Sequence, residues 1–185
     1  MKSLIIHPSD KSTDFLKPIY ANIPDATVIT SGTVEQVGQE IINHDRIIMM
    51  GHGSPFGLFS VGKFKNGTHK YYPAYVINSV TVPLLQEKEN IFIWCNADQF
   101  VIKNKLKGFY SGMFISEVAE AKYCGLPGTT QDIVDESNDT FAKLVGSVIN
   151  KPIKEIYEYT HHYYGILAES NPVTFYNHNR LYLNS

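Results

Sequence analysis

The stretch Arg46-Ile47-Ile48-Met49-Met50-Gly51-His52-Gly53 decides the fold, together with Asn90-Ile91-Phe92-Ile93-Trp94-Cys95-Asn96-Ala97 further along the chain. Each is a short apolar run, the pattern of a strand buried on both faces, and each ends in one reactive side chain. In an open parallel sheet, the carboxyl ends of neighbouring strands share a crevice in which ligands bind. If these two strands are adjacent, they place an imidazole and a thiol at the same edge of the sheet.

The rest of the chain alternates between strand-like and helix-like segments. Further strands are predicted at 4–7, 26–30, 112–115 and 180–183, and helices at 13–21, 34–42, 117–123, 130–148 and 153–168, with another helix inside 73–89. Between 55 and 72 we expect a small β-hairpin or flap next to His52, because Asn66-Gly67 is a hairpin signal. Alternating β and α units indicate an α/β fold with a mostly parallel sheet covered by helices.

The bulk composition is that of an ordinary globular protein. The 185 residues suit a single domain, 1–185, and a formal net charge of −2 gives no electrostatic argument for binding nucleic acid or an anionic membrane. No apolar run approaches the ~18 residues needed to span a bilayer. The N-terminus, Met1 to Pro8, is interpreted as the first strand and not as a signal peptide. Cys95 and Cys124 are too few for a disulfide framework, so we expect a cytoplasmic location.

The pair Cys95 and His52 indicates nucleophilic catalysis. A thiol attacks well only as thiolate, and an imidazole can accept its proton and later protonate the leaving amine. Acyl transfer also needs donors for the developing oxyanion, and we assign the N–H groups of Gly53 and Cys95 to that role. Replacing Gly53 by a β-branched residue is therefore predicted to damage turnover more than folding. Taken singly, a histidine at a strand end and a lone cysteine are both commonly structural.

With these motifs, the sequence resembles the caspase-like cysteine peptidases, the superfamily that includes gingipains, clostripain, separases, metacaspases and the CHAT domains. The shared mark is an apolar strand ending in His-Gly, here Ile47 to Gly53, and a second ending in the nucleophilic cysteine, here Ile91 to Cys95. The later part of the chain is similar to the CHAT and gingipain pattern at Gly112 to Ser116, at Asn138, Phe141, Ala142 and Leu144, and at Lys151 to Ile156. The resemblance implies a three-layer α/β/α sandwich and cysteine endopeptidase activity that needs no metal and no cofactor.

Two features of particular families are missing. The caspase signature Gln-Ala-Cys-Arg-Gly is absent, and Trp94 stands where metacaspases have an acidic residue before the cysteine. A caspase pocket also needs arginines to bind aspartate. This chain has only Arg46, at the wrong edge of the sheet, and Arg180 near the C-terminus.

Three carboxylates are candidates for binding a basic residue of the substrate. Asp10 follows the first strand, Asp98 lies just past the nucleophile, and Glu117 follows the predicted fifth strand. We expect cleavage after Arg or Lys on this basis. Each of the three is equally explained as a solvated loop or helix-cap carboxylate, and Glu117 fits the first turn of a helix through the helix dipole.

Other groups of potentially reactive residues give weaker indications of function. Cys124 is interpreted as structural, near the end of a helix, and Pro55 lacks the N–H that a serine nucleophile at Ser54 needs from the next residue. The histidines at His161 and His162 lack metal-ligand spacing. We therefore predict a cysteine endopeptidase acting on a peptide or protein substrate. The alternative is a catalytically inactive caspase-like domain that serves in protein interaction or regulation. Such a small unit is expected to work beside a partner domain or another copy of itself.

Overall fold

The computed structural model describes residues 1–68 and 70–185. Its strands are β1 (Ser3–Ile6), β2 (Thr27–Ile29), β3 (Gly32–Thr33), β4 (Arg46–Met50), β5 (Gly53–Ser54), β6 (Gly57–Phe59), β7 (Phe64–Lys65), β8 (Tyr75–Ile77), β9 (Glu89–Ile93), β10 (Gly108–Ser111) and β11 (Leu181–Asn184). Besides a 3-10 helix (Lys11–Ile19), the helices are α1 (Val34–Asn43), α2 (Val82–Leu85), α3 (Ala97–Lys103), α4 (Val118–Tyr123), α5 (Gln131–Val148), α6 (Ile153–Ala168) and α7 (Pro172–His178).

Six of these strands form the central sheet, in the order β11-β10-β9-β4-β1-β2. All neighbouring pairs are parallel except β10 and β11, which run antiparallel at one edge. The predicted α/β class with a mostly parallel sheet is therefore confirmed. Strands from both ends of the chain meet in this sheet, because β1 begins at Ser3 and β11 ends at Asn184.

The two faces of the sheet carry separate hydrophobic cores, because successive strand side chains point to opposite faces. One core joins Leu4, Ile6, Ile47, Met49 and Phe92 to side chains of α1, α2 and α3. The other joins Ile5, Ile48, Met50, Ile91 and Ile93 to the 3-10 helix, α5 and α6. Helices on both faces explain why β4 is buried along its whole length and reads as an unbroken apolar run. This arrangement is compatible with a three-layer α/β sandwich.

A buried arginine joins the two central strands at their amino ends. Arg46 and Glu89 are cross-strand partners, and the Arg46 Nη2 atom lies 2.7 Å from Glu89 Oε2. The same guanidinium donates to the carbonyls of Ile149 and Lys151. A buried charge is tolerated only when it is paired and hydrogen-bonded in this way. Arg46 therefore has a structural partner set at the edge opposite His52, as the sequence indicated.

The predicted strand at 112–115 is wrong, since the fifth parallel strand is β10, four residues earlier. Gly108 opens it with a φ of +145°, and a Cβ there would lie 2.2 Å from the carbonyl oxygen of Asn90 on β9. Only glycine allows this close approach. At Gly112 the chain leaves the sheet as its N–H donates to the carbonyl of Arg180, and Ile115 packs into a third cluster below α4.

The predicted helix at 13–21 is a 3-10 helix, Lys11–Ile19, that Asp10 caps and that contains Pro18. The one-turn helix α2 lies inside the predicted 73–89 segment, whereas the sequence reading missed α3 and α7. The N-cap of α4 is Glu117, one residue after the predicted Ser116.

A small hairpin, β5–β6, lies directly after His52 as predicted, but the rest of the segment predicted as a hairpin or flap is arranged differently. Strands β5, β6 and β8 form a small antiparallel sheet directly after His52, whereas β7 pairs in parallel with β3. The Asn66-Gly67 turn therefore does not join two paired strands of a hairpin among the described residues, and position 69 of this segment lies outside them. Across the described chain, no helix combines the length and apolar character that a membrane span requires.

Acid sensitivity is predicted for His7, which follows β1. Its Nδ1 lies 3.1 Å from the Tyr20 hydroxyl and its Nε2 lies 3.0 Å from Thr13 Oγ1, and burial lowers the His7 pKa to about 4. The unfolded chain binds the proton near pH 6.5, so the free energy of unfolding should fall by up to about 3 kcal/mol as pH drops from 6.5 to 4. Denaturant titrations of the unchanged protein and of His7→Gln, whose side chain cannot titrate, check this prediction across the same pH range. Equal losses in both proteins would contradict the assignment.

Candidate functional site

The carboxyl ends of β4 and β9 bring His52 and Cys95 to one pocket. Met50 pairs with Ile93, and one further ladder bond, from the Gly51 N–H to the Ile93 carbonyl at 3.0 Å, continues past the end of β4. His52 and Cys95 then both line a cavity of about 20 Å³. Its other walls are Thr13, Phe15, Leu16, Gly51, Ile93, Trp94, Phe114 and Ser116. A cavity of this size holds about one water molecule.

The imidazole of His52 is oriented by the loop after β1. Its Nε2 lies 2.6 Å from Ser12 Oγ, and Ser12 Oγ donates in turn to Asp10 Oδ1 at 2.8 Å. A hydroxyl has one hydrogen to donate, so the His52 Nε2 must be the donor to Ser12. In the neutral imidazole, Nδ1 is then the nitrogen with a free lone pair. The order Asp10–Ser12–His52 therefore fixes both the ring and its tautomer.

Asp10 is the final acceptor in this relay of hydrogen bonds from His52 through Ser12. The Ser12 backbone N–H and hydroxyl both donate to Oδ1, and these bonds hold the pKa of Asp10 below its ordinary value. Its second oxygen lies 4.0 Å from His52 Nε2. The Asp10 side chain is thus engaged with Ser12 and faces His52, and it is not among the residues that line the cavity.

The Cys95 thiol has partners of its own. Its Sγ lies 3.3 Å from the Phe114 carbonyl oxygen and 3.9 Å from Glu120 Oε1. Burial first, and the Glu120 carboxylate second, raise the thiol pKa to about 12. Among the residues that the structure describes, His52 is not a hydrogen-bond partner of this thiol. Cys95 is therefore a neutral thiol that shares a cavity with His52 without a direct hydrogen bond to it.

The Phe114–Ser116 segment, which carries the carbonyl that accepts from the thiol, is held rigidly. The Asn177 side chain accepts from the Ile115 N–H at 2.7 Å and donates to the Ile115 carbonyl at 2.8 Å, so it pairs with that peptide as a neighbouring strand would. Asn138 donates to the Ser116 carbonyl. Because Asn177 is fully buried in α7, the position of the Phe114–Ser116 wall depends on a helix that is remote in sequence.

The two residues assigned to an oxyanion hole are both neighbours of Trp94, Cys95 in the chain and Gly53 in space. Gly53 packs against the indole, and Trp94 Nε1 donates to the Ser54 carbonyl at 3.1 Å. After Cys95, the chain turns sharply, since Asn96 has a φ of +65° and precedes α3. A Cβ on Gly53 would lie 2.2 Å from Trp94 Cδ1 and 2.7 Å from the Gly57 carbonyl oxygen. This contact argues against the expectation that Gly53 matters more for turnover than for folding, because the core itself requires a glycine.

The other two predicted substrate carboxylates have different surroundings. Asp98 lies in the first turn of α3, with a buried Oδ1 that has no hydrogen-bond partner within the described residues. Glu117 is exposed and caps α4, while Glu120 accepts from the Glu117 N–H at 3.2 Å. Neither side chain lines the cavity. Their assignment as substrate ligands remains a prediction.

Sequence reasoning missed three parts of the site: Ser12, Glu120 and Asn177. The Asp-Lys-Ser order at 10–12 is a helix-capping pattern that could have placed Ser12 next to Asp10. Glu120 occupies the third position of a capping box, which was also readable. Asn177 had no local signal, because its role depends on the tertiary contact between α7 and Ile115.

Comparison of the chain with models of protein families and with curated proteins finds no match to either. What the site does is therefore inferred from its own residues: an oriented imidazole, a buried thiol with a carboxylate beside it, and a small cavity between two strand ends.

We predict that Gly53→Ala lowers the free energy of unfolding by about 1–3 kcal/mol, because the added methyl group overlaps Trp94 and the Gly57 carbonyl. Gly128→Ala is the matched control, since a Cβ at Gly128 meets nothing within 4 Å. Urea denaturation of both variants checks the prediction. A Gly53→Ala protein as stable as the control would show that this close packing does not constrain the turn.

Proposed function

We propose that the protein is a cysteine endopeptidase in which Cys95 is the nucleophile and His52 the general base and acid. The observation that carries this proposal is the shared cavity at the ends of β4 and β9, into which one thiol and one oriented imidazole face. The resemblance to caspase-like peptidases in the His-Gly and Cys motifs points the same way. A peptide or protein substrate, a caspase-like fold and a cytoplasmic location belong to the same proposal.

In this mechanism, His52 Nδ1 takes the thiol proton while Ser12 and Asp10 stabilise the imidazolium through Nε2. The sulfur attacks the scissile carbonyl carbon, and the C–N bond breaks as the imidazolium protonates the amine. Water then hydrolyses the thioester. The Cys95 N–H and the Gly53 N–H remain the proposed oxyanion donors. Before attack, the thiol must rotate away from the Phe114 carbonyl, because that bond holds its only proton.

A second function is favoured by one observation, the state of the thiol. A group whose pKa is raised to about 12 is almost entirely neutral at pH 7, and it donates to Phe114 instead of to His52. A catalytically inactive domain that serves in protein interaction or regulation would keep such a thiol permanently. The two functions differ in whether a substrate-like ligand can activate Cys95.

Active-site labelling is predicted to distinguish them. The protein is treated with peptidyl alkylating inhibitors that carry Arg, Lys, Asn or Asp at the first position, beside Cys95→Ala and His52→Ala, and intact mass is measured. For a peptidase we expect a gain of one label that requires both residues and is fastest with Arg or Lys. If no inhibitor labels the protein while a small thiol reagent still modifies Cys95, the interaction domain is the better description.

Ser12→Ala is predicted to slow that labelling by about tenfold to a hundredfold, because the imidazole loses its link to Asp10 and its fixed tautomer. The matched control is Ser170→Ala, since Ser170 is exposed and donates only to the Leu167 carbonyl. The pH profile of labelling supplies a second readout, as its lower limb should shift when the partner of His52 changes. Wild-type rates and an unchanged profile in Ser12→Ala would exclude the relay.

A further inference from the structure

The two carboxylate oxygens of Glu120 have different hydrogen-bond partners. Its Oε2 accepts from the Ser116 N–H at 2.7 Å, from the Ser116 hydroxyl at 3.0 Å and from the Glu117 N–H at 3.2 Å. Its other oxygen, Oε1, lies 3.9 Å from the Cys95 sulfur. Three donors on one oxygen fix the carboxylate at the start of α4 and leave the second oxygen facing the thiol.

Either Glu or Gln can occupy the third position of a capping box, because either side chain offers an oxygen to the free N–H groups. The helix dipole also favours a carboxylate in the first turn of α4. Beyond this role at the helix end, Glu120 places a negative charge beside Cys95, which Gln would not. A like charge at this distance disfavours the thiolate, and the effect is large because Cys95 is already buried.

The groups around Cys95 come from several elements. Cys124, at the end of α4, and Tyr176 of α7 both interact electrostatically with it, and His52 lies in the same cavity. Arg180 interacts with Tyr176, since its guanidinium is stacked 3.5 Å over the Tyr176 ring and donates to the Tyr176 carbonyl. Within the described residues, the hydrogen-bond partner of Glu120 Oε1 is the Cys95 thiol.

We propose that Glu120 is a charge latch: its carboxylate holds Cys95 as a neutral thiol, and an organic cation that binds beside Glu120 releases the thiol for reaction. An ammonium or guanidinium group is the ligand class, because its positive charge offsets that of the carboxylate and its N–H groups can donate to Oε1 in place of the thiol. A metal ion is a poorer fit, since the described residues contain no cluster of three or more His, Cys, Asp or Glu side chains able to hold one. A substrate that carries the cation would activate its own nucleophile.

The latch concerns the chemistry of the thiol, so it can be tested without peptidase activity. Three methanethiosulfonates of similar reach are used: one with a trimethylammonium group, one with a sulfonate and one neutral. The thiolate attacks the sulfenyl sulfur, a disulfide forms and methanesulfinate leaves. A Cys124→Ser background leaves Cys95 as the reacting thiol, and all rates are divided by those of 2-mercaptoethanol.

In the Cys124→Ser protein that retains Glu120, we expect the corrected rate of the cationic reagent to exceed that of the anionic reagent by about tenfold or more. Glu120→Gln should bring the ratio of cationic to anionic rates close to one. It should also speed the reaction of the neutral reagent by about tenfold at pH 8, because the midpoint of the pH profile of Cys95 modification moves down by about a unit. Burial persists in that variant, so Cys95 should still react more slowly than free thiol. Asp132→Asn is the matched control, since it removes an exposed charge from the first turn of another helix, α5, and should change neither value.

Release by a cation is measured on the protein that retains Glu120, with no dependence on whether Glu120→Gln folds. Added ethylguanidinium should accelerate the neutral reagent in a saturable way, whereas sodium chloride of equal ionic strength should not, because a 3.9 Å contact is much shorter than the Debye length of about 10 Å at 0.1 M. A cation-to-anion ratio near one would overturn the proposal, and so would equal effects of ethylguanidinium and salt. Neither result would decide whether the protein is a peptidase.

Discussion

The site depends on one constraint, the register between β4 and β9. Arg46 and Glu89 pair at one end of the two strands, and the Gly51 N–H bonds to the Ile93 carbonyl just beyond the other end. Because side chains alternate between faces, a slip of one residue would exchange the two cores and move every buried group to the wrong face. The fixed register is what brings the turns that carry His52 and Cys95 out at the same edge.

Different parts of the chain supply the partners of the two reactive groups. The start of the 3-10 helix after β1 supplies Asp10 and Ser12, whose hydrogen bonds orient His52. The turn after β10 supplies the Phe114 carbonyl that accepts from the thiol, and the first turn of α4 supplies the Glu120 carboxylate, which together with burial favours a neutral Cys95. Each reactive group therefore has a carboxylate near it, Asp10 near His52 and Glu120 near Cys95.

The sequence predicted the parts of the fold whose signals are local. The bounds of β4 and of α6 (Ile153–Ala168) agree with the predicted ones, because an unbroken apolar run and a long helical period are strong patterns. The strand predicted at 112–115 was wrong because its apolar residues lie in a turn. The actual strand begins at Gly108, where glycine is required by a tertiary contact, the close approach of the neighbouring Asn90 carbonyl. For the site, His52 and Cys95 were readable as strand ends. Asn177 was not, since its partner Ile115 is distant in sequence.

The two walls of the cavity are held by different kinds of hydrogen bond, which bears on how a ligand would enter. The Phe114–Ser116 wall is tied to α7 by both amide atoms of Asn177 and to α5 by Asn138. The facing wall, from Thr13 to Leu16, belongs to a 3-10 helix, whose hydrogen bonds are weaker than those of an α-helix. A cavity of about 20 Å³ must widen before a peptide carbonyl can reach the thiol, so we expect the 3-10 wall to yield. Ser12 lies in the first turn of that helix, and entry of a ligand would therefore also adjust the partner of His52.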